Sequence, residues 1–152
     1  MSTIVRLDKV KRDAHIVSFT FDTDLEDGRI VVLGDLDVDG ETYKATTPAD
    51  VTSDRLVLHA SVPMGYVEPD LEDEFVLKAG KEGRGYVLET GDIITITDDG
   101  FATAPAKGDI VAPVNGDTKL TVIDTPAGEK LQFKVIAKEY LAGKQASVLE
   151  VL

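Results

Sequence analysis

Short runs of β-branched residues, separated by turn signals, dominate this sequence and leave no amphipathic segment that could form a helix of about ten residues. The pattern is clearest in residues 89–122. There, GDII and GDIV each open an apolar run, and DDG and NGD mark turns. About nine or ten strand candidates follow from this pattern along the chain. The sequence therefore predicts an all-β fold, a small antiparallel β-barrel or sandwich with irregular loops and an N-terminal arm.

Four segments give the most specific strand predictions. Residues 16–21 (IVSFTF) place alternate apolar side chains at 17, 19 and 21, which predicts one buried face. Residues 29–33 (RIVVL) form a continuous apolar run, which is typical of a buried strand. Residues 131–137 (LQFKVIA) alternate, and the apolar residues 146–152 are expected to pair within the sheet.

Charge is distributed unevenly over the 152 residues, whose formal net charge is −12. Residues 1–100 hold 22 acids and 10 bases, whereas residues 101–152 hold 6 of each. We interpret residues 1–15 as an N-terminal arm, 16–84 as an acidic β-rich part with long loops, and 85–152 as a compact β-barrel core. A single domain spanning 16–152 is the alternative.

The composition excludes several function classes. An acidic surface repels phosphates and the chain is poor in aromatic residues, so we expect no nucleic-acid partner. With no cysteine, no nucleophile-elbow serine and two isolated histidines, His15 and His59, we expect neither an enzyme nor a metal site or cofactor. Residues 78–85 (KAGKEGRG) lack the phosphate-loop spacing. No apolar run suits a signal peptide or a membrane span, so no membrane association is expected.

Residues 34–40 (GDLDVDG) resemble the opening of an EF-hand loop, with Asp35, Asp37 and Asp39 at alternate positions. The closing Glu is missing, because Thr46 stands at the twelfth position of the loop. Two interpretations stay open. The loop binds a cation, or it is a strand end in which Leu36 and Val38 face inward and Asp39-Gly40 makes a hairpin turn. The second is favoured.

The only basic segment of this acidic chain lies near its N-terminus. Its bases are Arg6, Lys9, Lys11 and Arg12, against the single acid Asp8. One interpretation is a solvated chain end, which is the ordinary state of such segments. The other is an arm that docks on an acidic partner, and these four residues are then the predicted contacts.

The order of segments from residue 26 onward resembles small auxiliary proteins of tailed bacteriophages, the head decoration proteins encoded with the major capsid protein. The residues that carry the resemblance are Glu26-Asp27-Gly28 with Val31–Gly34, Tyr43–Pro48, Arg55–Ala60, Ala79-Gly80-Lys81 with Arg84-Gly85-Tyr86, Gly91–Thr95, and Phe133–Lys138 with the closing strand. They extend over about three quarters of the chain, and none of them is a catalytic motif.

This resemblance implies a virion structural protein that binds the outside of the capsid and stabilises it. Its partners would be the major capsid protein and further copies of itself, as a trimer or dimer. It would be located on the capsid surface after assembly in the host cytoplasm. The alternatives are a phage tail-tube or head-completion (neck) β-barrel protein and, second, a Ca²⁺-dependent binding module that uses Asp35, Asp37 and Asp39.

Overall fold

A computed structural model of the chain describes residues 3–10, 15–38, 40–52, 55–61, 76–126, 128–141 and 143–152. Within these ranges the regular structure consists of strands and one short 3₁₀-helix, Asp98–Gly100, and the prediction of an all-β fold is confirmed. The strands are β1 Val5–Lys9, β2 His15–Thr20, β3 Ile30–Leu36, β4 Thr42–Thr46, β5 Leu56–His59, β6 Glu82–Val87, β7 Ile93–Thr97, β8 Ile110–Pro113, β9 Leu120–Ile123, β10 Phe133–Leu141 and β11 Lys144–Val151.

The strands form a closed five-stranded barrel and an open six-stranded sheet. The barrel has the order β2-β4-β3-β5-β6 and closes through the pairing of β6 with β2. Its pairs are antiparallel except for β2 and β4, which run parallel. The sheet has the order β1-β7-β11-β10-β8-β9, and all of its pairs are antiparallel.

The position of the barrel differs from the one predicted. The compact barrel was expected within residues 85–152, but the closed barrel is built from β2 to β6, and residues 93–151 lie in the open sheet. The physical reason is that closure depends on the pairing of β2 with β4 and β6, which are distant in sequence. Apolar alternation within a strand carries no information about such partners.

The predicted N-terminal arm is in part a strand of the sheet. Residues Val5–Lys9 form β1, which pairs with β7, and a bulge at Asp8 shifts the register between Leu7 and Lys9. Val5 and Leu7 pack against the apolar core. This half of the segment is therefore integrated into the fold and is not a free extension.

Two apolar clusters hold the strands together, and β3 contributes to both because its two faces are buried. Ile30 packs with residues of the six-stranded sheet such as Phe133, whereas Val31 packs inside the barrel with Phe19. The two β3 residues are fully buried, as the continuous apolar run predicted. The alternation predicted for residues 16–21 is likewise confirmed, since Val17, Phe19 and Phe21 are buried.

The GDLDVDG segment differs from its favoured interpretation at two side chains. Leu36 is 48% exposed and Val38 is 102% exposed, so neither faces the core. The turn itself is present: the Gly40 N–H donates to the Asp37 carbonyl at 3.0 Å, and Gly40 has a φ of +74°. Because β3 extends beyond the barrel before it turns into β4, nothing among the described residues covers its final apolar positions.

Candidate interaction surface

The first two predicted contact residues, Arg6 and Lys9, lie on β1, which is an edge strand of the six-stranded sheet. The strand is anchored at its start by Ile4, which is buried. The Ile4 N–H donates to the Thr97 hydroxyl at 2.9 Å, and the Thr97 N–H donates to the Ile4 carbonyl at 3.0 Å. Lys11 and Arg12 lie outside the described residues.

Arg6 is engaged by carboxylates of its own chain. Its Nε donates to Asp8, and its Nη2 donates to Glu139 and, at 3.1 Å, to the hydroxyl of Thr95. The hydrogen bond to Asp8 is the largest influence on the Arg6 guanidinium and raises its pKa. Glu139 comes from β10, so the side chain of Arg6 reaches across the sheet. The charge of Arg6 is thus compensated within the fold, an arrangement that the sequence pattern did not indicate.

Lys9 is the more available of the two cations. Its side chain is exposed, and within the described part of the chain it forms no ion pair. It lines a groove of about 330 Å³ together with Val10 and residues 90–92. Among the predicted contacts that the structure describes, Lys9 is therefore the one that offers an uncompensated charge to a partner.

A buried polar cluster surrounds His59, which in the sequence is only one of two isolated histidines. The ring is fully buried against Phe19. Its Nδ1 lies 2.8 Å from the Glu26 carbonyl and its Nε2 lies 2.7 Å from the Ser61 hydroxyl. A carbonyl can only accept, so Nδ1 carries the proton and Nε2 accepts from Ser61. The cluster joins the turn before β3 to the end of β5.

The contact of Ser61 with His59 is the starting arrangement of a serine nucleophile and its base, but the environment works against that chemistry. Desolvation of the buried ring lowers the pKa of His59 to about 4, which makes Nε2 a weak proton acceptor near neutral pH. The Ser61 oxygen also accepts the Arg84 N–H at 2.9 Å, and the Ser61 N–H donates to Asp27 at 2.9 Å. These hydrogen bonds form a structural cross-link between three segments of the chain.

The β10–β11 hairpin is fastened to the short helix by two lysines. Lys138 Nζ lies 2.8 Å from the Asp98 carboxylate and 2.7 Å from the Ser147 hydroxyl. Lys144 Nζ donates to Asp99 at 2.9 Å. Burial acts to raise the pKa of Asp99, but the hydrogen bonds from Thr97 and Lys144 outweigh it and lower the pKa. The DDG turn thus places two carboxylates within hydrogen-bonding distance of the two lysines of the hairpin.

The acidic turn between β3 and β4 is only partly described, because Asp39 lies outside the described residues. Asp35 is exposed, and Asp37 Oδ1 accepts the N–H of Val38 at 2.7 Å. No three acidic or histidine side chains within the described ranges converge in a way that could hold a metal ion. A cation site that uses Asp35, Asp37 and Asp39 stays a prediction.

Comparisons with models of protein families, with curated proteins and with solved structures found no match to this chain. No helix of the described residues is long and apolar enough to cross a membrane.

Proposed function

We propose that this protein is a virion structural protein of a tailed bacteriophage that binds the outside of the head and stabilises the shell. The observation that carries the proposal is the position of Lys9. This cation is exposed on an edge strand of a rigid all-β scaffold whose overall charge is strongly negative. The likeness of the segment order to decoration proteins supports the same conclusion.

The mechanism is the addition of many small contacts. A single copy binds the shell weakly through the basic segment, because exposed ion pairs contribute about 0–1 kcal/mol each. The shell offers many equivalent positions, and association of copies multiplies the effect of each contact. Arg6 serves mainly to hold β1 in place, since its charge is shared with Asp8 and Glu139.

The test is co-sedimentation of the purified protein with undecorated heads assembled from the major capsid protein of the same phage. Deletion of the basic segment would be a poor variant, because it removes β1 and the buried Ile4. Lys9→Glu reverses one exposed charge without removing β1 and is therefore the better variant. Lys81→Glu, at another exposed lysine, is the matched control. We expect binding that weakens about five-fold for Lys9→Glu and changes little for Lys81→Glu.

Two results would contradict the proposal. Wild-type protein that stays in the supernatant at all concentrations would remove the head-binding role. Wild-type protein that binds equally well with either substitution would remove the role of the basic segment. Detection of the protein on purified virions, in a constant ratio to the shell protein, is an independent measurement of the same proposal.

A tail-tube or neck protein is the second candidate, and one observation favours it. β10 and β11 form the longest hairpin within the described residues, with Tyr140 near its tip 70% exposed. Subunits of tubes can use such hairpins to contact neighbours. Lys138 and Lys144 fasten this hairpin to Asp98 and Asp99, so it is supported close to its tip. Negative-stain images of the pure protein distinguish the two candidates. Rings or tubes favour a tail-tube or neck protein, and small discrete oligomers favour a decoration protein.

A further inference from the structure

The outer edge of β1 carries backbone groups that no described residue satisfies. The Ile4 carbonyl accepts the Thr97 N–H, and the Ile4 N–H donates to the Thr97 hydroxyl, so Ile4 faces β7 and so does Arg6, two residues further on. The alternating residues Val5 and Leu7 therefore direct their N–H and C=O groups away from the sheet. The Thr3 N–H, which points the same way, is bonded to the Glu26 carboxylate at 3.2 Å. The open part of the edge is therefore short and centred on Val5–Leu7.

We propose that this edge pairs with the same edge of a second copy, antiparallel, around a two-fold axis at Leu7. Only residues that face outward can exchange backbone hydrogen bonds, so the axis can lie at Leu7, at Val5 or between them. An axis at Val5 would pair Leu7 with Thr3, whose N–H is already bonded, and would set Arg6 opposite the uncharged Ile4. An axis between them, at Arg6, would set two guanidinium groups opposite each other.

The axis at Leu7 places opposite charges across the junction twice. Arg6 of each copy then faces Asp8 of the other, and such cross-strand pairs stabilise a sheet whereas like pairs destabilise it. Arg6 has donors to spare for this contact. Its Nε and Nη2 are engaged, and Nη1 has no partner within the described ranges. The short sequence VRLDK is thus complementary to itself when read antiparallel.

The charge of the whole molecule restricts where two copies can meet. Each copy carries a net charge of −12, so most surface contacts between copies are repulsive. Residues Val5–Lys9 hold two bases and one acid, so the repulsion is relieved at this edge. Charge complementarity therefore favours a second copy of this chain as the partner that pairs with the β1 edge.

The other edge of the sheet is less open, which favours a closed pair over a filament. On β9, the Leu120 carbonyl accepts the Ala102 N–H at 3.0 Å, and Leu120 forms a parallel bridge with Phe101. The bulge at Asp8 turns Lys9 toward Ile93, so backbone pairing about the axis is limited to the Leu7 residues of the two copies, and such bulges are common at edges that must not aggregate. Two copies joined through β1 would leave no equally good edge for a third.

The inference does not depend on the proposed head-binding function, because it concerns the isolated protein. If both hold, the pair brings two Lys9 side chains to the same junction and strengthens attachment to a shell through the avidity of two contacts. Failure of dimerisation in solution and failure of head binding are measured separately and can be told apart.

The experiment is sedimentation equilibrium of the full chain from about 1 μM to 1 mM. A strand junction buries less than the roughly 1,200 Å² of a stable interface, so we expect a weak, concentration-dependent dimer. Arg6→Asp and Asp8→Arg each set like charges across the junction and should weaken the dimer at least ten-fold. The double variant restores opposite charges and should recover most of the affinity. Melting curves verify that each variant is folded.

Disulfide trapping provides a second readout that needs no charge change. The chain has no cysteine, so Leu7→Cys introduces a single thiol at the proposed axis. Directly opposed, hydrogen-bonded residues have Cα atoms about 5.5 Å apart, within the range for a disulfide. We expect Leu7→Cys to form covalent dimers under mild oxidation faster than Val122→Cys on the opposite edge. A wild-type protein that is monomeric at 1 mM, or equal trapping of both variants, would overturn the proposal.

Discussion

The buried imidazole of His59 makes the stability of this protein depend on pH in a defined window. Desolvation lowers the pKa of His59 from its ordinary value of 6.5 to about 4, and the positive charge of Arg29 acts in the same direction. The bond to the Glu26 carbonyl opposes the shift but does not cancel it. In the unfolded chain the ring regains water and titrates near its ordinary value.

The sign of the effect follows from proton binding. Between pH 6.5 and about 4 the unfolded chain binds a proton at His59 that the folded chain does not. Stability is therefore complete above pH 6.5 and falls as the pH is lowered through this window. Each pH unit within it costs about 1.4 kcal/mol, so the total loss from this residue is about 3 kcal/mol. This is a large part of the about 5–15 kcal/mol that stabilises a typical domain.

Urea denaturation at several pH values between 7 and 4.5 measures the loss. His59→Asn removes the titrating group, so its free energy of unfolding should be lower than that of the wild type at pH 7 and should change much less down to pH 4.5. His15→Asn is the control, because it removes the other histidine without touching the Glu26–His59–Ser61 cluster. The reasoning is refuted if wild type and His59→Asn lose stability in parallel over this window, or if His15→Asn abolishes the loss.

Two further predictions concern packing. Gly83→Ala would place a methyl group 2.5 Å from Leu77 inside the barrel, so we expect a loss of about 1–3 kcal/mol in thermal unfolding. Lys81→Ala on the exposed surface just before β6 should stay within about 0.5 kcal/mol, and equal effects would contradict the packing argument. Phe133→Ala empties a fully buried position and should cost about 3–5 kcal/mol, whereas Leu152→Ala, at a half-exposed position, should cost under about 1 kcal/mol. A small effect of Phe133→Ala in urea titration would show that the core can collapse around the gap.

Several features of the fold were predictable because each depends on residues close together in the chain. In β10, Phe133 and Val135 are buried and alternate with the exposed Lys134, as the period of two requires. The final strand is paired within the sheet, as its apolar run indicated, and its partners are β7 and β10. The turn signals also lie between strands, and Gly116 adopts the positive φ that suits a turn.

For the candidate surface, the sequence predicted which charged residues are present but not which of them are compensated by other side chains. The sequence marks Arg6 and Lys9 as similar members of one basic segment. The structure separates them, because Arg6 meets Glu139 from a strand more than a hundred residues away while Lys9 stays exposed. In the core, the burial of His59 was likewise not predictable from the sequence. Its partners at Glu26 and Phe19 come from other strands and turns, so no local pattern could reveal its burial.

By itself, then, the sequence determined the fold class, the positions of most strands and turns, and the acidic character of the surface. Those properties follow from local periodicity, turn chemistry and composition. Only the tertiary structure decided that the barrel is built from β2 to β6, that β1 is an edge strand, and which charges are compensated. Strand partners and ion pairs such as Arg6–Glu139 are contacts between distant residues, and their energies depend on the geometry of the folded chain.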